Sequence, residues 1–228
     1  MRLQFVSREL SGVAALDIGI RAISVAVMDG APVVFASAGP GGGVSVYRLS
    51  TAGDLRLHDS AVFAPSLTAR LALDSAVIGS GDDAVLLLGG GPEGLLAHDL
   101  GADGRIDGPR APAATDPAPA PVERLAFLPD AAGGGLLALS GSGVFRMEAS
   151  GPVTSLDGLS GPGLAAGIAD GASGPVLIRA TADGVESLRA AKGSLTPMDS
   201  LGAAEGLGVA APTALETVSA HGTRFAIL

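Results

Sequence analysis

The stretch GGGVSVYRLSTAGDLRLHDS, Gly41 to Ser60, decides the fold of this 228-residue chain. Apolar and polar residues alternate on both sides of a short turn at Ala52-Gly53-Asp54, which is the pattern of two antiparallel strands. The stretch therefore predicts a β-hairpin. If the same order of features recurs along the chain, the hairpin is one copy of a repeated unit, and the repeat defines the architecture.

The same order of features is found three more times. The further copies are GPEGLLAHDLGADGRIDGPR (Gly91 to Arg110), GSGVFRMEASGPVTSLDG (Gly141 to Gly158) and GPVLIRATADGVESLRA (Gly174 to Ala190). Their turn glycines, with the first, are Gly53, Gly104, Gly151 and Gly184. The spacing falls from roughly 50 to little more than about 30 residues, which brackets the length of a four-stranded propeller blade.

One or two apolar runs precede each hairpin and predict the inner strands of a blade. They are Ala22 to Asp29, Ala31 to Ala38, Ala69 to Ile78, Asp83 to Gly89, Val122 to Pro129, Gly134 to Ser140 and Gly163 to Asp170. Because these runs are nearly continuous in apolar residues, we expect the inner strands to be buried on both faces. The hairpins carry more charge, and we expect them to lie partly in water.

The end of the chain predicts a fifth, incomplete unit. Pro212 to Leu228 resembles an inner-strand pair and is followed by no outer hairpin. The strand-like stretch Leu3 to Leu10 is predicted to supply an outer strand to that last blade, because closing the ring removes exposed sheet edges. The fold prediction is all-β, a β-propeller of about five four-stranded blades. The alternative is an open fragment of a larger propeller.

The predicted propeller is a single domain spanning residues 1–228. The proline-rich tract Gly108 to Glu123 is interpreted as an expanded loop between blades, since it is expected to form neither strand interior nor helix. A domain linker is the other interpretation of that tract. The nearest helical candidate, Ala64 to Leu73, is short and poorly patterned.

Composition limits the function classes. The net charge of -9 argues against nucleic acid and anionic membrane surfaces as partners, because both need clustered Lys and Arg. The absence of cysteine excludes disulfides, thiolate metal sites and a cysteine nucleophile. Polar residues interrupt the first ten positions, so no N-terminal signal peptide is predicted. The compartment stays open between the cytoplasm and export by a signal-peptide-independent route.

Candidate site residues are few. The candidate metal ligands are Asp82, Asp83, Asp99, Asp103 and Asp107, with calcium left open as the ion and no other cofactor indicated. Their spacing lacks the alternating oxygens and final bidentate Glu of a calcium loop, so we expect turn-forming aspartates. The pairs His58-Asp59 and His98-Asp99 are interpreted as solvated surface pairs, since adjacent strand residues point to opposite faces.

The hairpin sequence also carries a family resemblance. GGGVSVYRL followed by AGDLRLHDS resembles the blade hairpin of lactonase-type β-propellers. The acidic, cysteine-free, Gly/Ala-rich composition is similar to the propeller-like N-terminal regions of alphaproteobacterial repeats-in-toxin (hemolysin-type calcium-binding) proteins. The resemblance implies a propeller and, as expectations, lactone chemistry or an exported calcium-binding protein. The calcium-binding nonapeptide is absent from the sequence, and no catalytic residue carries over.

Three function classes follow. The favoured class is a non-catalytic binding or scaffold module, a propeller that presents a surface to a protein or glycan partner. The second is a lactonase-like or metal-assisted hydrolase, which requires two or three loop carboxylates to converge. Its candidates are Asp29, Asp82, Asp83, Asp130 and Asp170. The third is a structural segment of an extracellular or virion-like appendage.

Overall fold

The computed structural model describes residues 9–38, 42–62, 74–89, 95–110, 122–127, 135–140, 143–147, 154–156, 165–171, 174–191, 194–208, 215–220 and 223–227. Within these residues the strands form four antiparallel sheets of four strands and one sheet of two strands. Consecutive strands pair in chain order in every sheet. The all-β prediction is confirmed.

The strands of the first four sheets are as follows. Sheet 1 contains β1 (Ile20–Met28), β2 (Ala31–Ala38), β3 (Gly43–Leu49) and β4 (Leu55–Val62), and sheet 2 contains β5 (Asp74–Ile78), β6 (Val85–Gly89), β7 (Leu95–Leu100) and β8 (Ile106–Arg110). Sheet 3 contains β9 (Val122–Phe127), β10 (Leu136–Ser140), β11 (Gly143–Met147) and β12 (Thr154–Leu156), and sheet 4 contains β13 (Ala165–Gly171), β14 (Gly174–Ala180), β15 (Gly184–Ala191) and β16 (Ser194–Gly202).

The remaining elements are short. Sheet 5 is the hairpin of β17 (Glu216–Ala220) and β18 (Thr223–Ile227). One helical turn, α1 (Ala14–Asp17), precedes β1, and 3-10 turns occupy Gly81–Asp83 and Ala203–Glu205. None of the helices in the described residues has the length and apolar character needed to cross a membrane.

The chain divides into two compact units, Met1–Pro112 and Ala113–Leu228. The first unit holds sheets 1 and 2, and the second holds sheets 3, 4 and 5. The boundary falls inside the proline-rich tract. That the two units form one propeller domain stays a prediction.

An apolar core joins the two sheets of the first unit. Val33 and Phe35 of sheet 1 pack with Leu86 and Leu88 of sheet 2, and each of these four side chains is at most 1% exposed. Every second residue of the strands faces this core, as the alternation of the opening stretch predicts. The core holds sheet 2 face to face against sheet 1.

The second unit has a core of the same kind. Leu137 and Leu139 of sheet 3 pack with Leu177 and Leu188 of sheet 4. The opposite face of sheet 4 contributes Ile178 and Ala180, which pack with Leu215 just before β17. Sheet 4 therefore has apolar neighbours on both faces, and sheet 5 lies beside it through a contact of β13 with β17.

We expected the inner strands to be buried and the hairpin strands to lie partly in water, and this expectation is wrong in one respect. The first strand of each of the first three hairpins is mostly buried, as are the central strands β2, β6 and β10. Exposure is concentrated in the edge strands β1, β4, β8 and β16. The physical reason is that the two middle strands of a four-stranded sheet are covered most completely.

The fourth predicted hairpin is displaced by one strand. Gly174 to Ala190 was expected to be an outer hairpin, but the structure makes it the second and third strands of sheet 4. The outer hairpin is formed by β15 and β16, and β16 was not predicted from the sequence. The predicted spacing between the last two turn glycines, Gly151 and Gly184, is short for this reason. Gly184, with φ +158, is instead the first residue of β15, whereas the outer turn lies between β15 and β16.

The proline-rich tract begins later than expected. Gly108, Pro109 and Arg110 belong to β8, with Pro109 opposite His98. Proline is tolerated here because β8 is the edge strand of sheet 2. On the outer side of an edge strand no neighbouring strand needs a backbone N–H donor. Residues 111–121, the rest of the tract before β9, lie outside the described residues.

The end of the chain forms the expected pair of strands, and the closure prediction is untested. β17 and β18 match the predicted inner pair of a fifth unit. Positions 3–8 of the predicted closing strand Leu3 to Leu10 lie outside the described residues, as does the helical candidate Ala64 to Leu73. Five blades and a closed ring stay predictions.

Candidate functional site: the junction of sheets 1 and 2

The turn between β7 and β8 lies directly on sheet 1. Gly104 has φ +90, and its N–H donates to the Gly101 carbonyl at 2.8 Å. A Cβ on Gly104 would lie 3.1 Å from Val33 Cγ1 and 3.2 Å from Met28 Sδ. Glycine is required here twice, for the left-handed backbone and for the close approach to sheet 1.

Polar side chains gather where this turn meets β3 and β4, and we call them the junction cluster: Arg48, His58, Asp59, Asp103 and Arg105. Asp103 Oδ2 lies 3.2 Å from His58 Nε2, at ion-pair distance but without hydrogen-bond geometry, and 3.2 Å from Arg105 Nε. An Arg48 NH2 group donates to the Asp103 backbone carbonyl at 3.3 Å. Asp103 is thus contacted through both its side chain and its backbone carbonyl.

The electrostatics of the cluster favour the ionised form of Asp103. The Arg105 backbone N–H donates to Asp103 Oδ1 at 3.2 Å and is the largest cause that lowers the pKa of this carboxyl. The nearby His58 and Arg105 lower this pKa further. Because the carboxylate is largely solvated, water screens these attractions and the contribution to stability is small.

Asp59 joins the outer strands of the two sheets. Its Oδ2 accepts the Ile106 backbone N–H, the first of β8, at 2.9 Å, while its Oδ1 accepts the Ser60 N–H at 2.8 Å. The ladder of β3 with β4 shifts between Val46 and Tyr47, so that β4 has one extra residue, His58. This β-bulge re-aims the side chains that follow it.

The interpretation of His58-Asp59 as a solvated surface pair is wrong. The His58 side chain is 14% exposed, and both residues contact sheet 2. Strand alternation assigned them to opposite faces, but the bulge at His58 interrupts that alternation. No local signal marks the pair in the sequence, since Asp-Ser also occurs as Asp74-Ser75 in β5, where the ladder with β6 has no register shift.

His98 is buried rather than solvated. It sits opposite Leu86 in the ladder and is 7% exposed. Burial lowers the pKa of His98 below its usual 6.5, because the charged imidazole loses hydration, while the neighbouring Asp99 opposes that shift. The Asp99 carboxylate itself lies 2.6 Å from Arg110 Nε.

The burial of His98 makes stability depend on pH. The unfolded chain takes up this proton near pH 6.5, before the folded chain does, so His98 contributes stability that is present above pH 6.5 and lost as pH falls through its folded pKa. We expect the urea midpoint to decrease between about pH 7.5 and about pH 5, and to decrease less in His98→Gln. His58→Gln is the matched control. An equal decrease in wild type and His98→Gln would show that another group is responsible.

The structure separates most of the candidate metal ligands. Asp82 and Asp83 are exposed in the 3-10 turn before β6, and Asp99 is paired with Arg110. Asp103 and Asp107 are brought together, since a Cβ on Gly101 would lie 3.3 Å from an Asp103 oxygen and 3.5 Å from an Asp107 oxygen. Among the described residues, no three His, Asp or Glu side chains group as a metal site would. Calcium binding stays a prediction.

The candidate hydrolase carboxylates share a topological place. Asp29, Asp82, Asp83 and Asp170 all lie at or beside the connection between the first and second strands of their sheets. Asp29 has φ +49 and, with Gly30 at φ +68, forms the two-residue turn between β1 and β2. Asp29 lies 3.9 Å from an Arg48 nitrogen. Asp130 lies outside the described residues.

Comparison with known proteins gives structural similarities at low identity. No protein-family model and no curated protein matches the chain. A solved structure of a protein from Lactobacillus plantarum is similar at 14% identity and TM-score 0.46, over 75% of this chain and 54% of that one. A putative 6-phosphogluconolactonase from Bacteroides uniformis is similar at 16% identity and TM-score 0.44, over 75% of this chain and 53% of that one.

A third similar structure is an alpha-L-arabinofuranosidase from Clostridium thermocellum, at 13% identity and TM-score 0.41, covering 79% of this chain and 74% of that one. The chain spans about half the length of the first two proteins. At these TM-scores the fold assignment rests on the strand pairing of the chain itself.

Proposed function

We propose that the chain is a non-catalytic binding or scaffold module, a propeller-type array of sheets that presents a surface to a protein or glycan partner. The observation that carries this proposal is how the junction cluster uses its polar groups. Asp103 is engaged by His58 and Arg105, and Asp59 accepts a backbone N–H of the next sheet. These groups fix one sheet against another, which is the work of a scaffold.

The paired carboxylates elsewhere support the same proposal. Asp99 is bound by Arg110, and Glu186 lies 2.7 Å from the buried Arg179 of the neighbouring strand. A carboxylate held by a cation is a poorer general base, because the cation stabilises its ionised form. Four described arginines, Arg48, Arg105, Arg110 and Arg179, lie within ion-pair distance of carboxylates of the chain itself.

The finer architecture belongs to the same proposal. The sheets are blades of a propeller of about five blades, and the stretch Leu3 to Leu10 adds an outer strand to sheet 5. What supports this is the repetition of one four-strand pattern four times, followed by a two-stranded fifth sheet. The appendage alternative differs in solution size, since it requires an assembly where a scaffold module is a compact monomer.

A lactonase-like or metal-assisted hydrolase is the second candidate function. The observation in its favour is the shared place of Asp29, Asp82, Asp83 and Asp170 beside the first connection of their sheets. In a ring of blades, such connections lie on one face. Carboxylates from several blades would then surround one opening, where they could bind a metal ion or activate water.

A lactone hydrolysis assay separates the two functions. We expect the purified chain, with and without calcium, to hydrolyse gluconolactone and a panel of small lactones no faster than buffer does. Hydrolysis above buffer that is lost in Asp29→Asn or Asp83→Asn would replace the scaffold proposal by the hydrolase. Asp54→Asn is the control, because Asp54 is an exposed turn carboxylate outside the candidate set.

The same samples test the link to exported calcium-binding proteins. Binding of calcium to the folded chain alone would raise the melting temperature as the ion concentration rises. A rise that disappears in Asp103→Asn or Asp107→Asn would locate the ion beside Gly101, where these carboxylates meet. An unchanged melting temperature with every divalent ion would remove the metal-assisted hydrolase.

A further inference from the structure

We draw no further inference here: the strongest candidate, the apolar face of β1 on which Ile23, Val25 and Val27 are exposed, carries none because nothing in the structure shows what covers it.

Discussion

Replacing Phe35 by Ala is expected to lower the free energy of unfolding by about 3 to 5 kcal/mol. Phe35 is fully buried between sheets 1 and 2, where it packs with Val33, Leu86 and Leu88. Truncation removes the apolar area that the ring buries and leaves a cavity, because the rigid sheets on both sides cannot collapse into the space. The change represents a large share of the stability of an ordinary domain.

Urea unfolding followed by circular dichroism measures this loss, and Val25→Ala provides the control. Val25 lies on β1 of the same sheet but is 62% exposed, so its truncation should cost less than about 1 kcal/mol. If the two variants were equally stable, sheets 1 and 2 would not pack through the face that contains Phe35. The comparison therefore tests the core of the first unit directly.

Replacing Gly43 by Ala is expected to lower the free energy of unfolding by about 2 kcal/mol or more, although it adds a single methyl group. A Cβ on Gly43 would overlap the carbonyl oxygen of Ala61, a backbone atom of the paired strand β4. Relief requires β3 and β4 to separate where Gly43 faces Val62. The backbone of a ladder cannot give way as the end of a flexible side chain can.

Two other glycines separate steric overlap from backbone strain. Gly53 has φ +89 and nothing within 4 Å of an added Cβ, so Gly53→Ala measures strain alone and should cost about 1 kcal/mol. Gly208 has neither feature, and Gly208→Ala should be neutral or slightly stabilising. Thermal unfolding of the three variants should rank Gly43→Ala lowest. A Gly43→Ala variant as stable as Gly208→Ala would contradict the described approach of β3 to β4.

The junction cluster shows what polar residues contribute at the solvent-exposed end of the apolar interface between sheets 1 and 2. The core of Phe35 and Leu86 attracts the sheets without direction, because burial of apolar area depends little on orientation. The bonds from Arg48 to the Asp103 carbonyl and from Asp59 to the Ile106 N–H set how far one sheet slides along the other. Apolar packing thus supplies affinity between the sheets, and the cluster supplies their register.

Much of the strand order could be predicted from the sequence, because alternation and turn glycines are local properties. The stretch Gly41 to Ser60 and the runs before it correspond to β1 through β4 within a few residues. The displaced fourth hairpin shows the limit of this reasoning. A turn glycine such as Gly184 marks a change of direction, but nothing local tells whether the turn is the second or the third of its sheet.

By itself, the sequence determined that this is an all-β chain of repeated antiparallel strands, since a period of two and frequent turns are properties of neighbouring residues. Only the tertiary structure decided what His58, Asp59 and Asp103 do. Asp103 is 44 or more residues from the other two in sequence, and a one-residue bulge in β4 sets the direction of His58 and Asp59. Such an arrangement depends on how one sheet lies on another, which strand periodicity does not encode.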